Sequence, residues 1–198
     1  MEGLRVGYLS LIVRCAALAL VPLLLVGCDR GADGGSEGGD AAATLDQALT
    51  DHVAGRLPEA REGYENVLEI EPDNSFALYN LGLIAQTEGD AATAEDFYRR
   101  SLAVDPDFEA ALFNLAITVA QLDDTEEAID LYQQVIDLNP ANSGAHLNLG
   151  FLYLELGQEK KGNKQIQEAI DLDPSISDRI APPEGATSGK KPSPEPTE

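Results

Sequence analysis

Residues 75–108 read SFALYNLGLIAQTEGDAATAEDFYRRSLAVDPDF, and residues 109–142 and 143–176 repeat the same pattern. Pro72, Pro106, Pro140 and Pro174 fall 34 residues apart, each after an acid or an asparagine. Asn80, Asn114 and Asn148 keep that step and are followed by Leu81, Leu115 and Leu149. Several position classes that share one period define a repeat array. Working outward from the prolines, the units are 41–74, 75–108, 109–142 and 143–176.

Each unit holds two helical patterns. In the second, Leu78, Leu81, Gly82 and Ala85 share one face at 3.6 residues per turn, and Ala94, Tyr98, Ser101 and Leu102 share another. The third unit repeats this with Leu112, Leu115, Ala116 and Val119, then with Ala128, Tyr132, Val135 and Ile136. The small residues fall where paired helices must approach closely. Gly89 and Gly157 suit a left-handed helix end, and Asp90 and Asp124 suit the cap of the helix that follows. Glu127, three residues after Asp124, has capping-box spacing. Each proline stops a second helix.

A large residue, Leu-Gly, Tyr, Ala, an aromatic, Ala and Pro over 34 positions resembles the tetratricopeptide repeat family, most closely at 75–108 and 143–176. The resemblance implies an all-α fold: a right-handed superhelix of antiparallel helix pairs, a solenoid of about four repeats spanning 44–180. The first unit fits least well. Its second helix, Pro58 to Ile70, carries Ala60, Tyr64 and Val67, but its first, Leu45 to Val53, has Gln47 and Asp51 at apolar positions and reads as a capping helix.

The chain has 198 residues, 43% of them apolar, and no tryptophan. Both cysteines lie within the first 28 residues, so the repeat region has neither disulfide nor cysteine metal site. Residues 1–27 read as an export signal, with Arg5 and Arg14 ahead of an apolar run that is short for a membrane span. Leu25-Val26-Gly27-Cys28 resembles the bacterial lipobox, which implies that Cys28 is lipidated and becomes the mature N-terminus. An uncleaved anchor helix over 6–26 or an ordinary secretory signal is the alternative. Lipidation implies the bacterial cell envelope, with the chain facing the periplasm or the exterior. Asp29 after the cysteine favours the inner membrane over the outer.

Residues 28–43 are rich in Gly, Ala and Asp and read as a tether, whose glycine-rich fifteen residues would span roughly 20 Å. Residues 181–198, rich in Pro, Ser and charge, read as a disordered tail. The chain carries 13 basic and 35 acidic side chains, for a net charge of −22. A surface this acidic repels phosphate backbones and argues against nucleic acid as a partner. Such acidity also serves solubility alone.

Catalysis has little to draw on. His52 and His146 are the only histidines; His146 falls at a packing position, and His52, beside Asp51, is expected to be exposed. No Ser/His/Asp set, zinc spacing or calcium loop can be built from these residues, and no cofactor or metal is expected. The chain reads as no enzyme.

The family geometry implies that first helices line the concave groove. That places Phe76, Tyr79, Asn80, Leu83, Phe113, Asn114, Ile117, Leu147, Asn148 and Phe151 on a peptide-binding face. The three asparagines form a ladder that either hydrogen-bonds the backbone of an extended peptide or ties adjacent first helices together. No Lys or Arg occupies the first helices of units two to four, so a ligand peptide is expected to be apolar or uncharged. The reading is a membrane-anchored protein–protein interaction scaffold, monomeric because the last second helix is polar with Lys160, Lys161 and Lys164. The resemblance implies factors of outer-membrane protein assembly, pilus biogenesis or cell-wall enzyme recruitment. A self-associating structural protein and an accessory subunit of an envelope enzyme are the alternatives.

Overall fold

The computed structural model describes residues 40–180. Among them nine helices follow one another with no strand: α1 Ala41–Val53, α2 Leu57–Ile70, α3 Ser75–Thr87, α4 Ala91–Val104, α5 Glu109–Gln121, α6 Thr125–Leu138, α7 Ser143–Glu155, α8 Glu159–Leu172 and α9 Ser175–Ile180. The first eight pack as four successive pairs, and each second helix packs on the first helix of the next pair. This is the solenoid that the 34-residue period predicts. The signal segment 1–27, Cys28, most of the tether and the tail lie outside the described residues.

Helix α1 starts earlier than its apolar pattern suggests. Asp40 accepts a hydrogen bond from the Ala42 amide at 3.1 Å, and Ala41 is buried, so residues 41–43 are helical rather than part of the tether. Turns inside the pairs use left-handed residues: Gly55, Gly89 and Gly157 have φ of 75°, 82° and 71°. In the third unit Asp123 takes that place at φ 66°, a conformation that Asp tolerates better than most residues. Asp90 and Asp124 cap as expected, accepting from the Thr93 and Glu127 amides. The capping box is only half made, because the Glu127 carboxylate accepts two hydrogen bonds from Arg99 of the preceding unit, both at 2.8 Å.

Helix pairs meet at small residues. A Cβ on Gly82 would stand 2.5 Å from the Tyr98 ring, and one on Gly63 would stand 2.7 Å from the Ala48 Cβ. In the last pair the backbones themselves touch: a Cβ on Gly162 would lie 2.8 Å from the Gly150 carbonyl oxygen. Ala60, Ala94 and Ala128 are completely buried at the matching point of the other second helices.

Among the first helices one start departs from the rest, while the second helices α2 and α8 begin at Arg56 and Gln158 without a side-chain cap. The first helices of units one, two and four are capped by the side chains of Asp40, Asn74 and Asn142. Phe108 holds that position for α5 and forms no side-chain cap. Lack of a polar cap costs about 0.5–2 kcal/mol.

The last element is a single short helix. Ile176 of α9 is 1% exposed and enters the core beneath the end of the array.

Two substitutions test this packing. On an open helix face Gly→Ala stabilises by up to ~1 kcal/mol, whereas Gly162→Ala should destabilise by about 1–3 kcal/mol through overpacking. Ala128→Leu should cost a similar amount and lower the melting temperature of the whole array, because neighbouring units stabilise one another. Urea denaturation followed by circular dichroism reads both, and an unshifted midpoint for either contradicts the pairing.

Candidate functional site

The first-helix face is open at one end and closed at the other. Phe76 is 57% exposed, and Tyr79, Leu83, Phe113 and Asn114 are half-buried. Ile117, Leu147, Asn148 and Phe151 are not surface residues: their exposures are 0%, 2%, 1% and 4%. Ile117 of α5 and the other three, all of α7, turn into the core between their helix and its neighbours. That corrects the expectation of one continuous lining, and the accessible part belongs to α3 and the start of α5.

The asparagine ladder is engaged within the protein. Asn80 Nδ2 donates to the Phe76 carbonyl at 2.7 Å. Asn114 donates to the Ala110 carbonyl at 2.9 Å and to the Tyr79 hydroxyl at 3.2 Å, which links the third unit to the second. Asn148 donates to the Tyr132 hydroxyl at 3.0 Å, linking the fourth to the third, while its buried Oδ1 has no partner. Asn114 thus ties two first helices together and Asn148 ties a first helix to the second helix before it, whereas the Asn80 bond stays within α3.

Tyrosines receive these ties. Burial pushes the Tyr79 hydroxyl up to about 12, against a smaller opposing effect of its bond to Asn114. Burial likewise pushes Tyr64, Tyr98 and Tyr132 far above the ordinary value. His52 is not exposed as its sequence context suggests. It is half-buried, its Nδ1 lies 3.2 Å from the Tyr64 hydroxyl, and burial lowers its pKa while a bond with Asn80 works the other way. Its neighbour Asp51 is buried too, in an ion pair with Arg56. His146 is a packing residue, held between Gln165 Oε1 at 2.6 Å and the Pro140 carbonyl at 3.1 Å. No group of three or more metal-ligating side chains gathers among the described residues.

Sequence reasoning missed Phe108. Its ring centroid lies 5.1 Å from that of Phe76 and 4.9 Å from that of Tyr79, and Tyr79 in turn lies 6.0 Å from Tyr98. The signal was available as the one break in the series Asp40, Asn74, Asn142. Two recesses lie away from this face, one of about 500 Å³ beside Leu78 and Val104 and one of about 470 Å³ between α1 and α2.

A family model described as TPR repeat matches residues 119–157, and two described as tetratricopeptide repeat match 64–96 and 143–176. The chain carries tetratricopeptide repeats. Among solved structures it is similar to MamA, with 19% identity and a TM-score of 0.64 over 70% of this chain and 81% of that one. YrrB, described as a TPR protein with an unusual peptide-binding site, is 22% identical, with a TM-score of 0.60 over 68% and 69% of the two chains. PilF of Pseudomonas aeruginosa is 24% identical, with a TM-score of 0.62 over 69% and 64%. At these identities the likeness is one of fold. No curated protein matches the chain. The repeats place this chain among protein–protein interaction scaffolds.

Two outcomes follow from the ties. Asn148→Ala strips the buried Tyr132 hydroxyl of its donor and should cost about 1–3 kcal/mol, more than Asn114→Ala, whose site is partly open to water; equal costs in urea titrations would contradict the burial difference. The tyrosines set an alkaline limit. Because each folded-state pKa is raised, the native state holds protons that the unfolded chain has released, so this stability is complete below about pH 10 and falls as pH rises above it, the share of Tyr79 being lost as pH passes about 12. Absorbance at 295 nm should show these four tyrosines ionising together with unfolding rather than ahead of it.

Proposed function

We infer that the chain is a non-catalytic scaffold, lipid-anchored through Cys28 in the bacterial cell envelope, that receives an extended segment of a partner protein on the face formed by α3 and α5. The observation that carries this is the set of apolar side chains left accessible there: Phe76, Tyr79, Leu83 and Phe113. Side chains of this kind bury a partner's apolar residues, each worth ~1.5–3 kcal/mol when fully enclosed. With the asparagine amides already donating to groups within the protein, recognition runs through side chains rather than through the ligand's backbone. The likeness to YrrB, described as having a peptide-binding site, is consistent with this use of the fold.

The chain works as a monomer in this reading. Helix α8 turns Lys160, Lys161, Asn163 and Lys164 to solvent, and α9 covers the end of the array with Ile176. Polar terminal faces keep repeat arrays soluble and closed. Asp29 favours retention at the inner membrane.

A photo-crosslinking residue in place of Phe113 should give partner adducts in the native cell, whereas the same residue in place of exposed Gln134 on α6 should give none. Adducts from both sites, or from Gln134 alone, would remove the groove. Anchoring is tested separately: Cys28→Ser should abolish palmitate labelling and leave the chain unprocessed, and unchanged labelling would refute lipidation.

A further inference from the structure

The repeat supplies its own reference for which residues the fold needs. At the second residue of the first helices stand Ala42, Phe76, Ala110 and Gly144, and at the cap stand Asp40, Asn74, Phe108 and Asn142. Phe76 and Phe108 are thus the sole aromatics at their two repeat positions, and they come together as one pair with centroids 5.1 Å apart. Packing accounts for only part of the pair: Phe108 is half-buried against the Tyr79 ring. Phe76 keeps 57% of its surface open, and Phe108 stands where a polar side chain would have capped α5. A phenylalanine left this open, where the other units hold Ala or Gly, points to a surface kept for binding.

The charge around the pair identifies what binds. Asp105 and Asp107 lie on the turn that leads into Phe108, closed by the Phe108 amide donating to the Asp105 carbonyl at 3.2 Å, and both are exposed. No Lys or Arg lies on α3, α5 or α7, and the chain as a whole carries −22. An exposed aromatic face beside carboxylates attracts a cation twice, through the ring quadrupole and through the formal charge. An anionic side chain would meet these carboxylates and the net negative charge of the chain, which oppose the pull of the α3 and α5 helix N-termini.

We propose that Phe76 and Phe108, with Asp105 and Asp107 beside them, form a subsite for a lysine or arginine side chain of the bound polypeptide. The partner segment is then basic and apolar, its cation seated on the Phe76 ring and its apolar residues running past Tyr79 and Leu83 toward Phe113. This replaces the expectation of an uncharged ligand, and it rests on the groove reading above.

The test uses the full-length chain in non-ionic detergent and three fluorescein-labelled nonapeptides, in which leucine alternates with arginine, with glutamine or with glutamate. Fluorescence anisotropy should show the arginine peptide binding at least tenfold more tightly than the glutamine peptide, and the glutamate peptide not binding. Phe76→Ala and Phe108→Asn, the latter restoring the cap of the other units, should each weaken the arginine peptide about tenfold while circular dichroism shows both variants folded. The double variant Asp105→Asn/Asp107→Asn should weaken it threefold or more, and Glu62→Gln/Glu65→Gln on α2 should leave it unchanged. Equal, Phe76-dependent binding of the arginine and glutamine peptides would overturn the cationic subsite and leave the groove reading standing. Arginine-peptide binding indifferent to Phe76 and Phe108 would mean general attraction to an acidic surface and would overturn the subsite as well. Failure of all three peptides would overturn both readings.

Discussion

Two helix backbones approach closely only where neither carries a large side chain, and every unit of this array meets that condition at two fixed positions. The first helices place Ala48, Gly82, Ala116 and Gly150 there, and the second helices place Ala60, Ala94, Ala128 and Gly162, all of them buried. Gly82 leaves room for the Tyr98 ring, and Gly150 leaves room for Ile166 and the Gly162 carbonyl. Interiors are packed at crystal-like density, so a single methyl group is felt at such contacts. The period of 34 survives in these residues because a substitution in any unit would change how its pair closes and where the next unit sits.

A second contact varies from unit to unit, and its variation shapes the functional face. In the first two units a polar residue near the end of the first helix reaches the buried tyrosine of the second: His52 to Tyr64 and Gln86 to Tyr98. The third unit has Ala120 at that position, and Tyr132 takes its hydrogen bond from Asn148 of the next unit instead. In the fourth, Leu154 and Ile166 make the corresponding site apolar. The shortage at Ala120 thus binds Asn148 into the core. The accessible lining is displaced toward α3 and α5, where Tyr79 and Asn114 remain half open.

The periodic positions made the fold legible. Helix pairs, their boundaries to within a few residues, the glycine turns and the small-residue contacts all follow from spacing and local chemistry. The face was harder to read, because a helical period tells which residues share a side but not how deeply a neighbouring helix covers it. Ile117, Leu147 and Phe151 have the right phase and the wrong depth. His52 and Asp51 misled for a related reason: charged or titratable residues on a weakly apolar helix look exposed, yet Tyr64 and Arg56 supply partners that permit burial. The start of α1 eluded the apolar pattern because Ala41–Ala43 share the composition of the preceding coil.

Phe108 shows why an interior unit can carry a locally unfavourable residue. Stability in a repeat array is close to a sum of unit terms and nearest-neighbour terms, so contacts with the helices on either side can offset what a missing cap costs. Helix α5 lies between α4 and α6, and the Arg99–Glu127 ion pair further joins units two and three. Helix α1 has α2 beside it and no preceding pair among the described residues, and it keeps Asp40 as its cap. In the middle of the array the exposed face of α3 meets the start of α5, so Phe76 and Phe108 come from two units to make one surface.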